Sequence, residues 1–378
     1  MPEQHAVLSA SSSKMWMSCP PSAQLNAAAN DTPSEYAKQG TAAHLWAETK
    51  VKRILGQNIK DPTDGAEYYD AEMAECTDSY AQYVSEQIEK AKQRCSDPIV
   101  LVEQRVDFSR WVPDAYGTAD LVIVSDDVLS ITDLKYGVGV PVDAENNSQM
   151  MCYALGALEL FDGIYDIGRI SMTIFQPRRE NISVYEISKA ELLEWADTKL
   201  APAADLASKG EGEFRAGEHC RFRKVKATCR KRAEYNLELA QYDFKMPDIL
   251  EDAEIEMILS KVDDLVSWTS DIKEYALMQA VNGKQWNDWK VVEGRSNRKY
   301  TDEVLVAATV KNAGFDPYEH KILGITAMTK LLGKNKFEDL LGGFIEKPKG
   351  KPTLVPMSDK RPALSKAADA ADDFKEEI

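Results

Sequence analysis

Long apolar runs are absent from this 378-residue chain. None approaches the roughly 20 residues that a membrane helix needs, so no membrane role is expected. Residues 1–20 are rich in serine and hold no apolar core of the signal-peptide kind, which argues against secretion. Cysteine is scarce, and its six positions lack the close spacing of a disulfide scaffold. That pattern suits a reducing compartment, the cytoplasm, where neighbouring thiols more readily mean metal than a disulfide. Positive charge is in deficit. Lys and Arg number 46 against 62 Asp and Glu, a net charge of −16. A protein that coats nucleic acid without specificity is disfavoured by that balance, because phosphate binding depends on Lys and Arg. An enzyme that needs only a local basic groove remains compatible, since metal-binding carboxylates themselves add negative charge.

What is present is a globular composition, 44% hydrophobic and 29% charged, on a length that fits two domains and a tail. Ser11-Ser12-Ser13 can cap a short helix carrying Met15, Trp16 and Met17, which Pro20-Pro21 stops after Cys19. From about Ser34 to Leu55, the residues Ala37, Gly40, His44, Ala47, Val51 and Leu55 share one helical face, and a third helix runs from about Glu67 to Arg94. After Pro98 the texture changes. Ile99–Phe108, Thr118–Val124, Val128–Leu134, Ser171–Phe175 and Ile182–Ile187 are short β-branched runs between turn residues, with helices expected near Asn147–Leu160 and Ser188–Ala207. Strands, a crossover helix and further strands describe an α/β core, a mixed central sheet flanked by helices, over residues 1–235. Residues 236–345 read as a mainly helical domain: a helix from Asp248 to about Val281, a strand pair near Trp289–Val292 and Arg298–Tyr300, a helix capped by Thr301 and ended by Gly314, and another from Thr326 to Leu341. Residues 346–378, rich first in Pro, Lys and Gly and then in Ala and Asp, read as an extended tail.

The chemically informative stretch is Gly117-Thr118-Ala119-Asp120 followed by Asp133-Leu134-Lys135. Asp133 and Lys135 are two apart on a strand and so point to one face. Asp126-Asp127 can form a two-residue hairpin turn, which pairs Asp120 with Asp133, Val122 with Ile131 and Val124 with Leu129. Two carboxylates that close repel unless a cation lies between them. Hydrolysis of a phosphodiester needs such a cation to polarise the phosphoryl oxygen and acidify water. Hard cations such as Mg²⁺ prefer oxygen donors, and a nearby Lys can stabilise charge that develops on phosphorus oxygens. His44, four residues after Gly40, is the one side chain with metal affinity on its helix face. Glu103 interrupts the apolar run Val100-Leu101-Val102, and Gln149 and Tyr153 share a helix face after the D-x-K strand.

The order G-x-x-x-H (Gly40 to His44), Glu103, G-x-x-D (Gly117 to Asp120), D-x-K (Asp133 to Lys135) and Q-x-x-x-Y (Gln149 to Tyr153) resembles the motif series of RecB-like PD-(D/E)xK nucleases. Those include AddB-type nuclease domains and the CRISPR-adaptation exonucleases. More closely, the chain resembles a family of phage and prophage proteins with that core, whose likeness extends through the Lys-Pro-rich tail. The resemblance implies a restriction-endonuclease-like fold and a Mg²⁺- or Mn²⁺-dependent deoxyribonuclease, an exonuclease more than an endonuclease, working on DNA in phage recombination or repair. A phage strand-annealing protein is the implied partner and the bacterial host cytoplasm the implied setting. His44, Asp120, Asp133 and the Leu134 carbonyl would bind the metal and Lys135 would be the catalytic lysine. Gln149 and Tyr153 would orient that lysine or a DNA phosphate, and Glu103 would support the site. The alternative is a noncatalytic DNA-binding or assembly protein on a nuclease scaffold.

Related nucleases often carry an iron–sulfur cluster held by one early cysteine and three after the core. Cys19, Cys220 and Cys229 match three of these positions, and Arg223 stands at the fourth. Four thiolates normally hold such a cluster. Three readings follow: a cluster with a substitute ligand such as His219, zinc on Cys19, His219, Cys220 and Cys229, or no metal with Arg223 filling the space. Cys76, Cys95 and Cys152 fall in helical patterns and read as buried thiols. Arg221, Arg223, Lys224, Lys226 and Arg230 belong to the most basic local stretch and are candidate DNA-backbone contacts. Trp286, Trp289, Lys290, Arg295, Arg298 and Lys299 are a second aromatic and basic mixture, of the kind that can stack on single-stranded bases.

Overall fold

The computed structural model describes residues 6–29, 35–161, 163–238, 250–293, 300–318 and 322–346. The tail beyond residue 346 and the positions Arg295, Arg298 and Lys299 lie outside the described residues. The chain divides into two compact units, Met1–Asn282 and Gly283–Ile378.

The first unit is mixed α/β. Its sheet has the order β1 (Ile99–Asp107), β2 (Tyr116–Ser125), β3 (Val128–Leu134), β4 (Arg169–Gln176) and β5 (Asn181–Ser188). Every neighbouring pair is antiparallel except β3 with β4, which run parallel. A parallel pair needs a crossover, and the helix Ser148–Phe161 lies between these two strands in sequence. The two-residue turn at Asp126-Asp127 is present, with Asp126 at φ +56, and it sets the expected register: Val122 opposite Ile131 and Val124 opposite Leu129.

Helices cover both faces of the sheet. Before it in sequence come α1 (Ser13–Ser18), α2 (Ser22–Ala28), α3 (Glu35–Ile54) and α4 (Ala71–Arg94). The crossover helix is α5, and α6 (Lys189–Trp195) and α7 (Ala201–Lys209) follow, joined through a π-helical turn at Ala196–Leu200. Residues of α1, α2, α5, α6 and α7 form one apolar cluster with Val122, Val124, Leu129 and Ile131. Residues of α3 and α4 form another with Leu121, Ile123, Leu134 and Phe175. Each fully buried aliphatic side chain here contributes about 1.5–3 kcal/mol. The α4 helix starts where the Asp70 carboxylate accepts from the Met73 N–H at 2.8 Å, an N-cap. Gly156 lets α5 sit close on β1, since a Cβ there would lie 2.9 Å from the Val106 Cβ.

The unit ends with α8 (Arg230–Leu237) and α9 (Asp252–Val281). The helix expected in a domain starting at 236 therefore groups with the first unit. Ion pairs tie it there: Asp271 meets Arg232 and Lys226, and Asp264 meets Arg221. In the second unit, α10 (Glu303–Asn312) is capped by the Asp302 carboxylate, which accepts from the Leu305 N–H at 2.9 Å, and not by Thr301. The single helix expected over 326–341 is two, α11 (Ile325–Leu332) and α12 (Lys334–Leu341), because Gly333 at φ +78 breaks the run. Of the strand pair expected near 289–300, the described residues show one bridge, Trp286 to Trp289. The α2 helix was not legible: Pro20-Pro21 reads as a stop, but proline also suits a helix start.

Candidate metal centre

Strict alternation places every second residue of a strand on the same face. Both β1 and β2 break that rule at one register position. On β1, Val100 and Val102 pack against the α3–α4 cluster, yet Val106 belongs to the α5 cluster. On β2, Leu121 and Ile123 belong to the α3–α4 cluster, yet Ala119 belongs to the α5 cluster. Val102 pairs with Leu121 and Gln104 with Ala119, so the residues between them, Glu103 and Asp120, stand opposite each other at the break. Glu103 has φ +52, a left-handed conformation that costs a residue with a side chain about 1–3 kcal/mol.

The break brings two carboxylates beneath α3. His44 Nδ1 lies 3.1 Å from Asp120 Oδ1, and the ligand atoms of His44, Glu103 and Asp120 all lie within 4.8 Å of one another. Among the described residues no other His, Cys, Asp and Glu grouping meets that distance. The second oxygen of Asp120 accepts from the Leu134 N–H at 2.6 Å, replacing a ladder bond at the end of β3. A cavity of about 10 Å³ lies between His44, Ala47, Glu48, Tyr80, Val102, Glu103, Asp120 and Leu134. The hydroxyl of Tyr80 is buried without a hydrogen-bond partner among the described residues.

Electrostatics follow from this crowding. Burial alone would lower the pKa of His44, but Asp120, by charge and hydrogen bond, together with Asp133 and Glu103, outweighs it and holds it at about 9. Burial pushes Glu103 up to about 8, and the Asp120 charge pushes the same way. Burial would also raise Asp120, yet His44, the Leu134 N–H and Lys135 hold it below the usual carboxylate value. A divalent cation bound there would displace the protons that these shifts hold on His44 and Glu103, since a side chain must be deprotonated to bind metal.

Beside it stands the D-x-K pair. Asp133 is buried, and its Oδ2 lies 2.9 Å from Lys135 Nζ in an ion pair that lacks hydrogen-bond alignment. Gln149 on α5 accepts from Lys135 Nζ at 3.1 Å and donates to Asp133 Oδ1 at 3.1 Å and to the Tyr153 hydroxyl at 3.0 Å. Burial and the Asp120 charge raise the pKa of Asp133 against the pull of Lys135. Lys135 is raised in turn, burial being outweighed by Asp133, so it stays an ammonium. The G-x-x-D glycine has a steric reason, since a Cβ on Gly117 would lie 2.6 Å from Tyr153 Cε1. No such contact explains Gly40, where a Cβ would meet open space.

Of the expected set of His44, Asp120, Asp133 and Leu134, the structure brings His44 and Asp120 within ligand distance of each other. Glu103, expected to support the site, stands with His44 and Asp120, whereas Asp133 is tethered to Lys135 and Gln149 and Leu134 contributes its N–H. Sequence reading missed Tyr80 and Glu48. Tyr80 sits at the same helical spacing as Met73, Thr77, Val84 and Ile88, so nothing marks it apart from the core stripe.

The cysteine region holds a guanidinium. Arg223 is buried, with Nη1 at 3.5 Å from Cys229 Sγ and 3.9 Å from Cys19 Sγ, while Nε and Nη2 have no partner among the described residues. Burial would raise the Cys220 thiol, but hydrogen bonds from His219 and the Gly217 backbone, with the positive charge of His219, bring it down to about 7. Arg223 is therefore corrected as a DNA contact: it faces sulfur, not solvent. Arg221 and Lys226 are engaged by Asp264 and Asp271, while Lys224 and Arg230 stay nearer the surface. Cys76 and Cys152 are buried as expected, and Cys95 is half-buried.

A sequence profile described as "Protein of unknown function (DUF2800)" matches residues 5–362. A solved structure titled "Crystal structure of SSO0001" is similar over 58% of this chain and 96% of its own length, at 12% identity and a TM-score of 0.21, too slight a likeness to bear on the fold. Among the described residues no helix is long and apolar enough to cross a membrane.

Proposed function

The chain belongs to the DUF2800 family, and for this member we propose a divalent-cation-dependent nuclease that hydrolyses DNA phosphodiesters on a restriction-endonuclease-like core. One observation carries the reading. A histidine–carboxylate cluster lies beside an Asp–Lys pair, and the Gln149 amide ties Asp133, Lys135 and Tyr153 together.

The donors fit a hard cation such as Mg²⁺ or Mn²⁺: two carboxylates and one imidazole, with a cavity about the size of one water at their side. His44, Glu103 and Asp120 would hold it. Bound there, such an ion polarises a phosphoryl oxygen and acidifies water. The protein side of the chemistry is positional. Lys135, an ammonium fixed by Asp133 and Gln149, is placed to stabilise charge on the phosphoryl oxygens rather than to remove a proton. Tyr153 holds the far end of Gln149, and the crowding at Gly117 holds Tyr153.

A labelled linear DNA duplex incubated with Mg²⁺ tests this. Wild type is expected to degrade it, chelator to stop it, and Asp133→Asn or Lys135→Ala to slow it by about 10²-fold or more. Binding without cleavage would instead identify a noncatalytic DNA-binding or assembly protein. Circular, blunt and tailed substrates in the same assay distinguish attack from an end, and an RNA duplex distinguishes the sugar.

A further inference from the structure

We infer that Tyr80 is a positioning residue of the metal centre, its hydroxyl donating a hydrogen bond to the oxygen that fills the cavity between it and the His44, Glu103 and Asp120 donors. The inference rests on the metal-centre reading above and extends it to a residue of α4.

Three observations meet at this side chain. The Tyr80 hydroxyl is buried and has no partner among the described residues, although a buried hydroxyl without a partner costs free energy. Tyr80 lines the same cavity as the three donors, and its volume of about 10 Å³ holds one water-sized oxygen. Its ring is fixed against Phe175, with centroids 5.5 Å apart in an edge contact, so the hydroxyl cannot swing out to find solvent. Tyr83, one turn along α4, packs on the same Phe175 ring but points its hydroxyl to Thr173 Oγ1 at 3.4 Å. The two tyrosines share a helix and a packing partner, and only Tyr80 faces the donors.

The test is Mn²⁺ titration by calorimetry on the full chain, with no DNA present. Tyr80→Phe removes one hydroxyl and keeps the ring. It is expected to weaken Mn²⁺ binding by about three- to tenfold, the loss of one net hydrogen bond, with the melting temperature in chelator not lowered. Tyr83→Phe is expected to bind as wild type. Wild-type affinity in Tyr80→Phe, or equal weakening in both variants, overturns the role given to Tyr80. Asp120→Asn separates the two readings. If it binds Mn²⁺ like wild type, the metal centre itself is overturned. If it loses Mn²⁺ while Tyr80→Phe does not, only the inference about Tyr80 fails.

Discussion

Gln149 donates to Asp133 and Tyr153 through its nitrogen and accepts from Lys135 through its oxygen, and among side chains of that shape only an amide offers both. The arrangement holds only while Tyr153 keeps its place, and that depends on Gly117 having no Cβ. Gly117→Ala would place a methyl 2.6 Å from the Tyr153 ring. Tyr153 is buried and bonded, so the ring cannot yield without releasing Gln149. The expected cost is about 1–3 kcal/mol, as for other overpacked interiors, read as a lower urea midpoint with unchanged slope. Gly40→Ala is the contrast, since open space there and a helix interior favour alanine by about 0.5–1 kcal/mol. A Gly117→Ala midpoint equal to wild type would contradict the account of Tyr153.

At the scale of elements, β1 and β2 give up their alternation together, and Glu103 supplies the left-handed residue on β1. Glu103→Gly should relieve that strain and remove a crowded carboxylate, raising the melting temperature in chelator by about 2–4 °C for roughly 1 kcal/mol gained. The same change should weaken Mn²⁺ binding. Glu103→Gln removes the charge but keeps the conformation, so the excess of the glycine variant over it isolates the backbone contribution. Equal melting temperatures would refute the strain account. This break was not legible in the sequence, because the position carries Glu and not the Gly or Asn that usually announces positive φ. The five strands were legible, since β-branched runs between turn residues survive burial on either face, and β3 ends where the pattern placed it. The Asp126-Asp127 turn carried register as well as position, so the pairing of Val122 with Ile131 could be read in advance. The approach of Glu103 to His44 and Asp120 could not, because it depends on which way a strained carboxylate turns.

For the whole molecule, charge is the governing quantity. On the proposed function, a chain of net charge −16 would bind DNA through whatever cations it leaves free. Most of the basic stretch is committed internally: Arg221 to Asp264, Lys226 and Arg232 to Asp271, and Arg223 to sulfur. DNA affinity measured with Ca²⁺ in place of Mg²⁺ should therefore show a shallow dependence on salt. A slope of log affinity against log salt near −3 is expected, on the order of three phosphates at about 0.9 each. A slope near −8 would mean that phosphates are contacted by many cations outside this basic stretch.

The length of the Asp126-Asp127 turn has a further consequence. One residue inserted there would slide β3 a single step and exchange its two sides. Ser130 and Thr132 would enter the layer now filled by Leu129 and Ile131, and Asp133 would turn its back on α5. The hairpin thus acts as a ruler with one permitted setting: lengthening it by a single notch would disarm the proposed chemistry without altering any residue assigned to it.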